Sequence, residues 1–210
     1  MTWRVITLPM MTLDVIIYAG AMSRWKAGAR ERLQAAALEL FAEQGFTRTT
    51  VAEITARAGL TTRTFFRYFA DKREVLFDGE DELPALVEQA ITSAPADLSP
   101  LAAISQGLDG FIDSLFEGRH GRVRARRAVV DADEALRERE QRKYTLVAEA
   151  AERALSARGV DELTATIAAQ LGITAFRLAV LRWSAAPAGE QSLAQTLAET
   201  LASMRAVASV

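Results

Sequence analysis

Two very short helices, each with its start signal written out and a glycine between them, constrain this 210-residue chain more than any other feature. Thr50-Val-Ala-Glu53 is a capping box, in which the hydroxyl satisfies the Glu53 amide and the carboxylate reaches back to the Thr50 amide. A helix therefore starts at Val51 and presents Val51, Ile54 and Ala58 on one face. It stops about two turns later at Gly59, where positive φ costs little. Thr61 caps a third helix running from Thr62 to Phe69, with Phe65 and Phe69 four apart and facing one core, and Arg63 and Arg67 also four apart. Ahead of this pair, Leu33, Ala36, Ala37, Leu40 and Phe41 recur at helical spacing over Ala29 to Gln44 and predict a first helix stopped by Gly45. Behind it, Asp71-Lys72-Arg73-Glu74 is a second capping box that opens a fourth helix, whose Val75 and Leu76 pack back toward the first three.

The rest of the chain reads as longer helices. Pro84 disturbs or restarts the fourth helix, with a bend expected near Gly79 to Pro84. Ser99-Pro100 is a cap followed by a proline suited to a first turn, and Leu101, Ile104, Leu108, Phe111, Ile112 and Leu115 continue an apolar stripe to Gly118. Further helices are expected over about 121–130, 133–158, 162–183 and 190–207, separated by turn residues such as Gly159, Pro187 and Gly189. Alanine, leucine, arginine and glutamate are plentiful and β-branched runs are short, so the predicted class is all-α with no sheet. The expected organisation is a disordered leader over 1–23, a helix-turn-helix domain over 24–71, and a helical effector-binding and dimerisation domain over 72–210.

Residues 24 to 73 hold ten Lys or Arg against five Asp or Glu, whereas the remainder holds fifteen against twenty-two. A basic head joined to an acidic body suggests that one end meets a polyanion. The chain has no cysteine, which excludes disulfides, thiolate metal sites and thiol chemistry and suits a reducing cytoplasm. In the leader, the apolar stretch Leu13 to Ala21 is too short to span a bilayer and lacks the flanks of a signal peptide, so no membrane partner is expected. Met22 opens a stretch that reads as a natural start, and residues 1–21 are expected to be an unstructured extension.

A helix entering a major groove needs short polar or basic side chains on its first turns, with flanking donors to grip phosphates. Thr62, Arg63, Thr64 and Arg67 fit the base-reading role, and Thr50, Tyr68 and Lys72 sit at or beside helix ends where phosphate contacts are feasible. The bland alternative is that Arg63 and Arg67 solvate an exposed face. Phe65 and Phe69 are expected in the core, and Phe66 either there or against the sugar-phosphate edge.

Three segments carry a resemblance: Ala29-Arg-Glu-Arg-Leu, Phe41-Ala-Glu-Gln-Gly-Phe, and Thr49-Thr-Val-Ala-Glu-Ile through Arg67-Tyr-Phe-Ala-Asp-Lys72. Over about fifty residues they resemble the N-terminal domain of tetracycline-repressor-like (TetR) transcriptional regulators. The resemblance implies that the third helix reads the major groove, with base contacts at Thr62 and Arg63 and phosphate contacts at Thr50, Tyr68 and Lys72. Phe66 departs from the tyrosine common at that position. Leu136-Arg-Glu-Arg-Glu and Phe176-Arg-Leu-Ala-Val-Leu-Arg-Trp183 resemble effector-domain helices of the same family.

That family pattern implies a homodimer whose last two helices pair with their symmetry mates, for which Leu163, Ile167, Leu171, Leu193, Leu197, Leu201 and Met204 are the candidates. Some of them must also serve the core. It further implies an effector pocket in the C-terminal domain, for which Phe77, Phe111, Phe116, Tyr144, Phe176, Arg177 and Trp183 are the candidates. Aromatic residues at helical spacing are otherwise core, and Arg177 otherwise an internal ion pair. The five arginines from Arg119 to Arg127 and the acidic run from Asp131 to Glu140 read as one solvated, mutually compensating face. His120, in the turn-like Arg119-His-Gly-Arg, reads as an exposed loop residue.

With one histidine, no cysteine and no Glu-x-x-His pattern, the chain has no constellation for catalysis or metal binding, so neither enzyme activity nor a cofactor is expected. The functional expectation is a repressor released from a palindromic operator by a small molecule, with the fourth helix, rooted at Lys72, as the lever. A helical sensor or adaptor without DNA binding and an all-helical enzyme are the alternatives.

Overall fold

The computed structural model describes residues 27–208, all helix and connection, with no strand among them. The expected leader, and the first residues of the expected helix-turn-helix domain, lie outside the described residues. The chain divides into two compact units, the first ending at Leu76 and the second beginning at Phe77.

The first unit holds α1 (Ala27–Gln44), α2 (Val51–Arg57), α3 (Thr62–Tyr68) and the start of α4 (Glu74–Phe77). Leu33, Ala36, Ala37, Leu40 and Phe41 of α1 are buried together with Ile54 of α2 and Phe65 and Phe69 at α3. The turn after α2 closes as a Schellman motif: the Leu60 amide donates to Thr55 O at 2.8 Å and the Gly59 amide to Ala56 O at 3.1 Å. This requires the left-handed φ of +64° at Gly59. α4 begins at Glu74 rather than directly after Asp71, because Asp71 Oδ1 accepts from both the Arg73 and Glu74 amides, at 2.7 and 3.2 Å, and holds the chain in a turn.

The second unit starts at the end of α4 and turns at Gly79, whose φ is +78°. A 3-10 turn over Glu80–Glu82 leads into α5 (Leu83–Thr92), with Pro84 in its first turn. There follow α6 (Pro100–Phe116), α7 (His120–Asp131), α8 (Glu134–Ala157), α9 (Glu162–Ala185) and α10 (Leu193–Ala208). α9 is the central helix and packs on α6, α7, α8 and α10. Its interior face is lined by small residues, including Ala165, Ala168, Ala169, Gly172, Ala175 and Ala179, which let neighbouring helices approach closely. At Gly172 a Cβ would lie 2.6 Å from Ile104 Cγ2 of α6.

Two sequence expectations are corrected here. His120 is not an exposed loop residue: it opens α7, its ring centroid lies 4.7 Å from that of Trp183, and its Nε2 is 3.0 Å from Trp183 O. Nor is the arginine run wholly solvated. The 3-10 turn, α7 and α8 bring Arg126, Glu80, Glu140 and Lys143 into a closed ion quartet, with side chains 14–20% exposed. Each cation meets both carboxylates, at 2.7 and 2.7 Å for Arg126 and at 3.1 and 2.8 Å for Lys143. The Arg127–Asp131 pair, at 3.1 Å, matches the compensating surface pattern.

Candidate nucleic-acid interface

α3 is held by its own sequence. Thr61 Oγ1 accepts from the Thr64 amide at 3.2 Å and lies 3.0 Å from Thr64 Oγ1, so this threonine pair closes the first turn. Phe65 and Phe69 anchor the inner face, with ring centroids 5.4 Å apart. Their burial leaves Thr62, Arg63, Phe66 and Arg67 exposed together on the opposite face, with Thr64 and Tyr68 half-buried. Arg63 has no ion-pair partner among the described residues. Arg67 folds back on its neighbour: its Nη2 donates to the Tyr68 hydroxyl at 3.0 Å, and its guanidinium lies 4.8 Å from that ring. Phe66 is 58% exposed, which puts it on the base-reading candidates' face and not in the core.

The start of α2 is a fully formed capping box. Thr50 N and Thr50 Oγ1 both donate to Glu53 Oε2, at 2.8 and 2.7 Å, while Glu53 N donates to Thr50 Oγ1 at 3.3 Å. These hydrogen bonds from Thr50 hold the Glu53 carboxyl below its usual range, with help from the Lys72 charge. The Thr50 hydroxyl is thus engaged with Glu53. On the outer side of α1 and α2, Arg57 forms a fork with Glu43 at 3.0 and 2.8 Å and reaches Glu39 at 3.2 Å. Lys72 is the surprise. Its Nζ donates to the carbonyls of Phe46, Thr47 and Thr49, at 2.8, 3.1 and 2.9 Å, and lies 4.5 Å from the Phe46 ring centroid.

In the second unit the effector candidates fall into two groups. Phe116, Phe176 and Trp183 form an edge-to-face cluster, with centroids 5.9 and 6.0 Å apart, which His120 extends. Phe77 lies elsewhere, fully buried between the guanidiniums of Arg126 and Arg139 at 4.9 and 4.6 Å. Tyr144 accompanies that second group, with Lys143 Nζ 4.7 Å from its ring; burial, aided by Glu140, pushes its hydroxyl up. Phe111 packs on the main core, and Arg177 donates to Gln141 Oε1 at 3.1 Å on an exposed surface. An open cleft of about 400 Å³ along α8, lined by Glu149, Glu152, Arg153 and Ser156, includes none of the seven candidates.

The dimer candidates also divide. Leu193, Leu197 and Leu201 are buried within the chain and Met204 partly so. Leu163, Ile167 and Leu171 are 70, 49 and 42% exposed along one face of α9, which Leu181 continues. Sequence reasoning missed the ion quartet, whose members are up to 63 residues apart, and the partners of Lys72. No spacing signal pointed to either.

Comparison with known proteins agrees with this architecture. Residues 33–78 match the family model described as bacterial regulatory proteins, tetR family. The HTH-type transcriptional regulator TcmR of Streptomyces glaucescens is 33% identical over 99 residues, covering 47% of this chain and 44% of that one, so the match spans less than half of that relative. SmeT, the repressor of the Stenotrophomonas maltophilia multidrug efflux pump SmeDEF, superposes with a TM-score of 0.53 at 25% identity, over 83% of this chain and 89% of its own. A complex of SmeT with triclosan superposes with a TM-score of 0.60 at 23% identity, over 83% and 90%. Residues 33–78, which carry most of α1 together with α2, α3 and α4, thus match the tetR family model, and the chain shares its all-helical fold with SmeT.

Proposed function

We propose that the chain is a sequence-specific, DNA-binding transcriptional regulator that works as a cytoplasmic homodimer, joins the nucleoid when DNA-bound, and represses from a palindromic operator until a small molecule releases it. One observation carries this reading: a seven-residue helix is anchored from behind by Phe65 and Phe69 and presents Thr62, Arg63, Phe66 and Arg67 together to solvent. Arginine offers a bidentate match to guanine in the major groove, threonine a short hydroxyl for either strand, and phenylalanine an apolar contact for a thymine methyl. Thr64 supports this reading head, and Thr50 and Tyr68 are placed to grip phosphates at its flanks. Glu53 must release the Thr50 hydroxyl for that contact to form.

One such head buries too little surface to be specific, whereas two heads matched to half-sites about 34 Å apart multiply their affinities. The apolar face of α9 at Leu163, Ile167 and Leu171 supplies a surface for pairing, and Met204 lies on the adjoining last helix. SmeT supports the repressive sign and the responsiveness to a small molecule. The effector acts by linkage: it binds the helical unit most tightly in a state whose two heads are wrongly spaced, and lowers operator affinity by that difference. The Phe116–Phe176–Trp183 cluster is the proposed wall of its site, with Arg177 available to an anionic group.

The test is selection of bound sequences from a random DNA library, followed by binding of the recovered duplex. A palindromic consensus is expected, and Arg63→Ala should relax preference at one base pair per half-site, at a cost of about 1–3 kcal/mol per contact. Recovery of no enriched sequence at low salt without effector would overturn the reading in favour of a helical sensor without DNA binding.

A further inference from the structure

We propose that Lys72 is a positioning residue that staples the helix-turn-helix closed, in place of the phosphate contact that the family resemblance implies; the proposal rests on the DNA-binding reading above. An ammonium group has three N–H donors and no acceptor. Here all three are spent on the carbonyls of Phe46, Thr47 and Thr49, and the Phe46 ring adds a cation–π contact at 4.5 Å. No donor is left for a phosphate oxygen.

What those carbonyls belong to explains the arrangement. Phe46, Thr47 and Thr49 form the connection between α1 and α2, and Thr49 immediately precedes Thr50, the N-cap of α2. The Thr49 hydroxyl is turned inward, donating to Gly45 O at 2.8 Å, so the turn is fixed from both sides. Lys72 stands just past the end of α3, 23 to 26 residues along the chain from its partners. One side chain therefore joins the exit of the reading helix to the entrance of the helix before it, and fixes the position of Thr50 and the Glu53 carboxylate across α2's first turn. Without the cation, three converging carbonyl dipoles would face one another with no shared donor, and the turn would open.

A guanidinium cannot replace this ammonium, because its donors lie in a flat fork and cannot converge on three carbonyls around one nitrogen, whereas at a phosphate it serves as well or better. Two full-length variants, Lys72→Met and Lys72→Arg, therefore separate the roles. Both are expected to weaken binding of the selected duplex by about tenfold or more, with the slope of log affinity against log salt unchanged. Lys72→Arg is further expected to speed amide exchange at Glu53 and Ile54 in the DNA-free protein, where the first turn of α2 is formed. The proposal is overturned if Lys72→Met lowers the salt slope by about one and Lys72→Arg restores wild-type affinity, the signature of a lost and regained phosphate contact. It is equally overturned if exchange at Glu53 and Ile54 is unaltered in Lys72→Arg. Because exchange is read without DNA, failure of the selection experiment sinks the repressor reading alone and leaves the role of the lysine to be decided.

Discussion

At Gly172 the whole interface between α6 and α9 depends on a missing methyl group. A Cβ there would sit 2.6 Å from Ile104 Cγ2 and 3.3 Å from Ile104 Cδ1, and Ile104 is itself fully buried. Gly172→Ala should gain helix propensity yet destabilise the protein by about 1–3 kcal/mol through overpacking. Ile104→Leu in the same background removes the β-branch methyl that obstructs it, so the double variant should recover some of the loss in urea unfolding. Strictly additive effects would show that the two residues do not contend for this space. The periodicity of α6 and α9 marked Ile104 and Ile167 as apolar-stripe residues, but a glycine in a helix carries no sign of which neighbour it admits.

Helix ends and charge clusters act at the scale of the element. α3 is seven residues long, so its first turn is a large part of it, and the acceptor Thr61 supplies to the Thr64 amide matters accordingly. Thr61→Ala should cost about 1 kcal/mol in urea unfolding and weaken binding of the selected duplex by more than that stability loss explains, because α3, the proposed reading helix, frays in the free protein. Equal salt slopes with unchanged affinity would rule this out. The ion quartet ties the 3-10 turn, α7 and α8 together. Although burial pushes the other way, Lys143 and Arg126 hold the Glu140 carboxyl down at about 2, from an ordinary value of 4.5. Its stabilisation is therefore complete above pH 4.5 and lost as pH falls from there toward 2, by at most on the order of 3 kcal/mol. Burial pushes Glu80 up, and its contribution runs in the opposite sense, declining as pH rises through that raised value. Unfolding midpoints measured at pH 5 and pH 3 should fall less steeply in Glu140→Gln than in the wild type; identical slopes would remove Glu140 as the cause.

For the whole molecule, the exposed apolar face of α9 has the greatest consequence. Leu163, Ile167 and Leu171 place large side chains in water on the same helix whose other face forms the centre of the core. Ile167→Glu, on an exposed position, should leave folding intact and shift sedimentation from the proposed dimer toward the monomer. Affinity for a palindromic duplex should fall by at least tenfold, while the weak affinity for an isolated half-site is retained. A variant that stayed dimeric would place the pairing surface elsewhere.

The sequence by itself determined the helical class, the caps at Thr50 and Thr61, the stop at Gly59 and the outward set of α3. Each of these depends on groups no more than about one helical turn apart, where spacing and chemistry are local. Other features were decided only by tertiary structure. Leu193, Leu197 and Leu201 follow the same apolar rhythm as Leu163, Ile167 and Leu171, yet the first three are covered by their own chain and the others are not, because periodicity reports that a face is apolar and not what covers it. Likewise Arg126 and Arg127 are adjacent in one basic run, but only Arg126 enters the buried quartet, since one residue along a helix turns a side chain by about 100°. And Lys72, read from its place after α3 as a phosphate donor, finds its three acceptors more than twenty residues upstream, a contact that only the folded turn brings within reach.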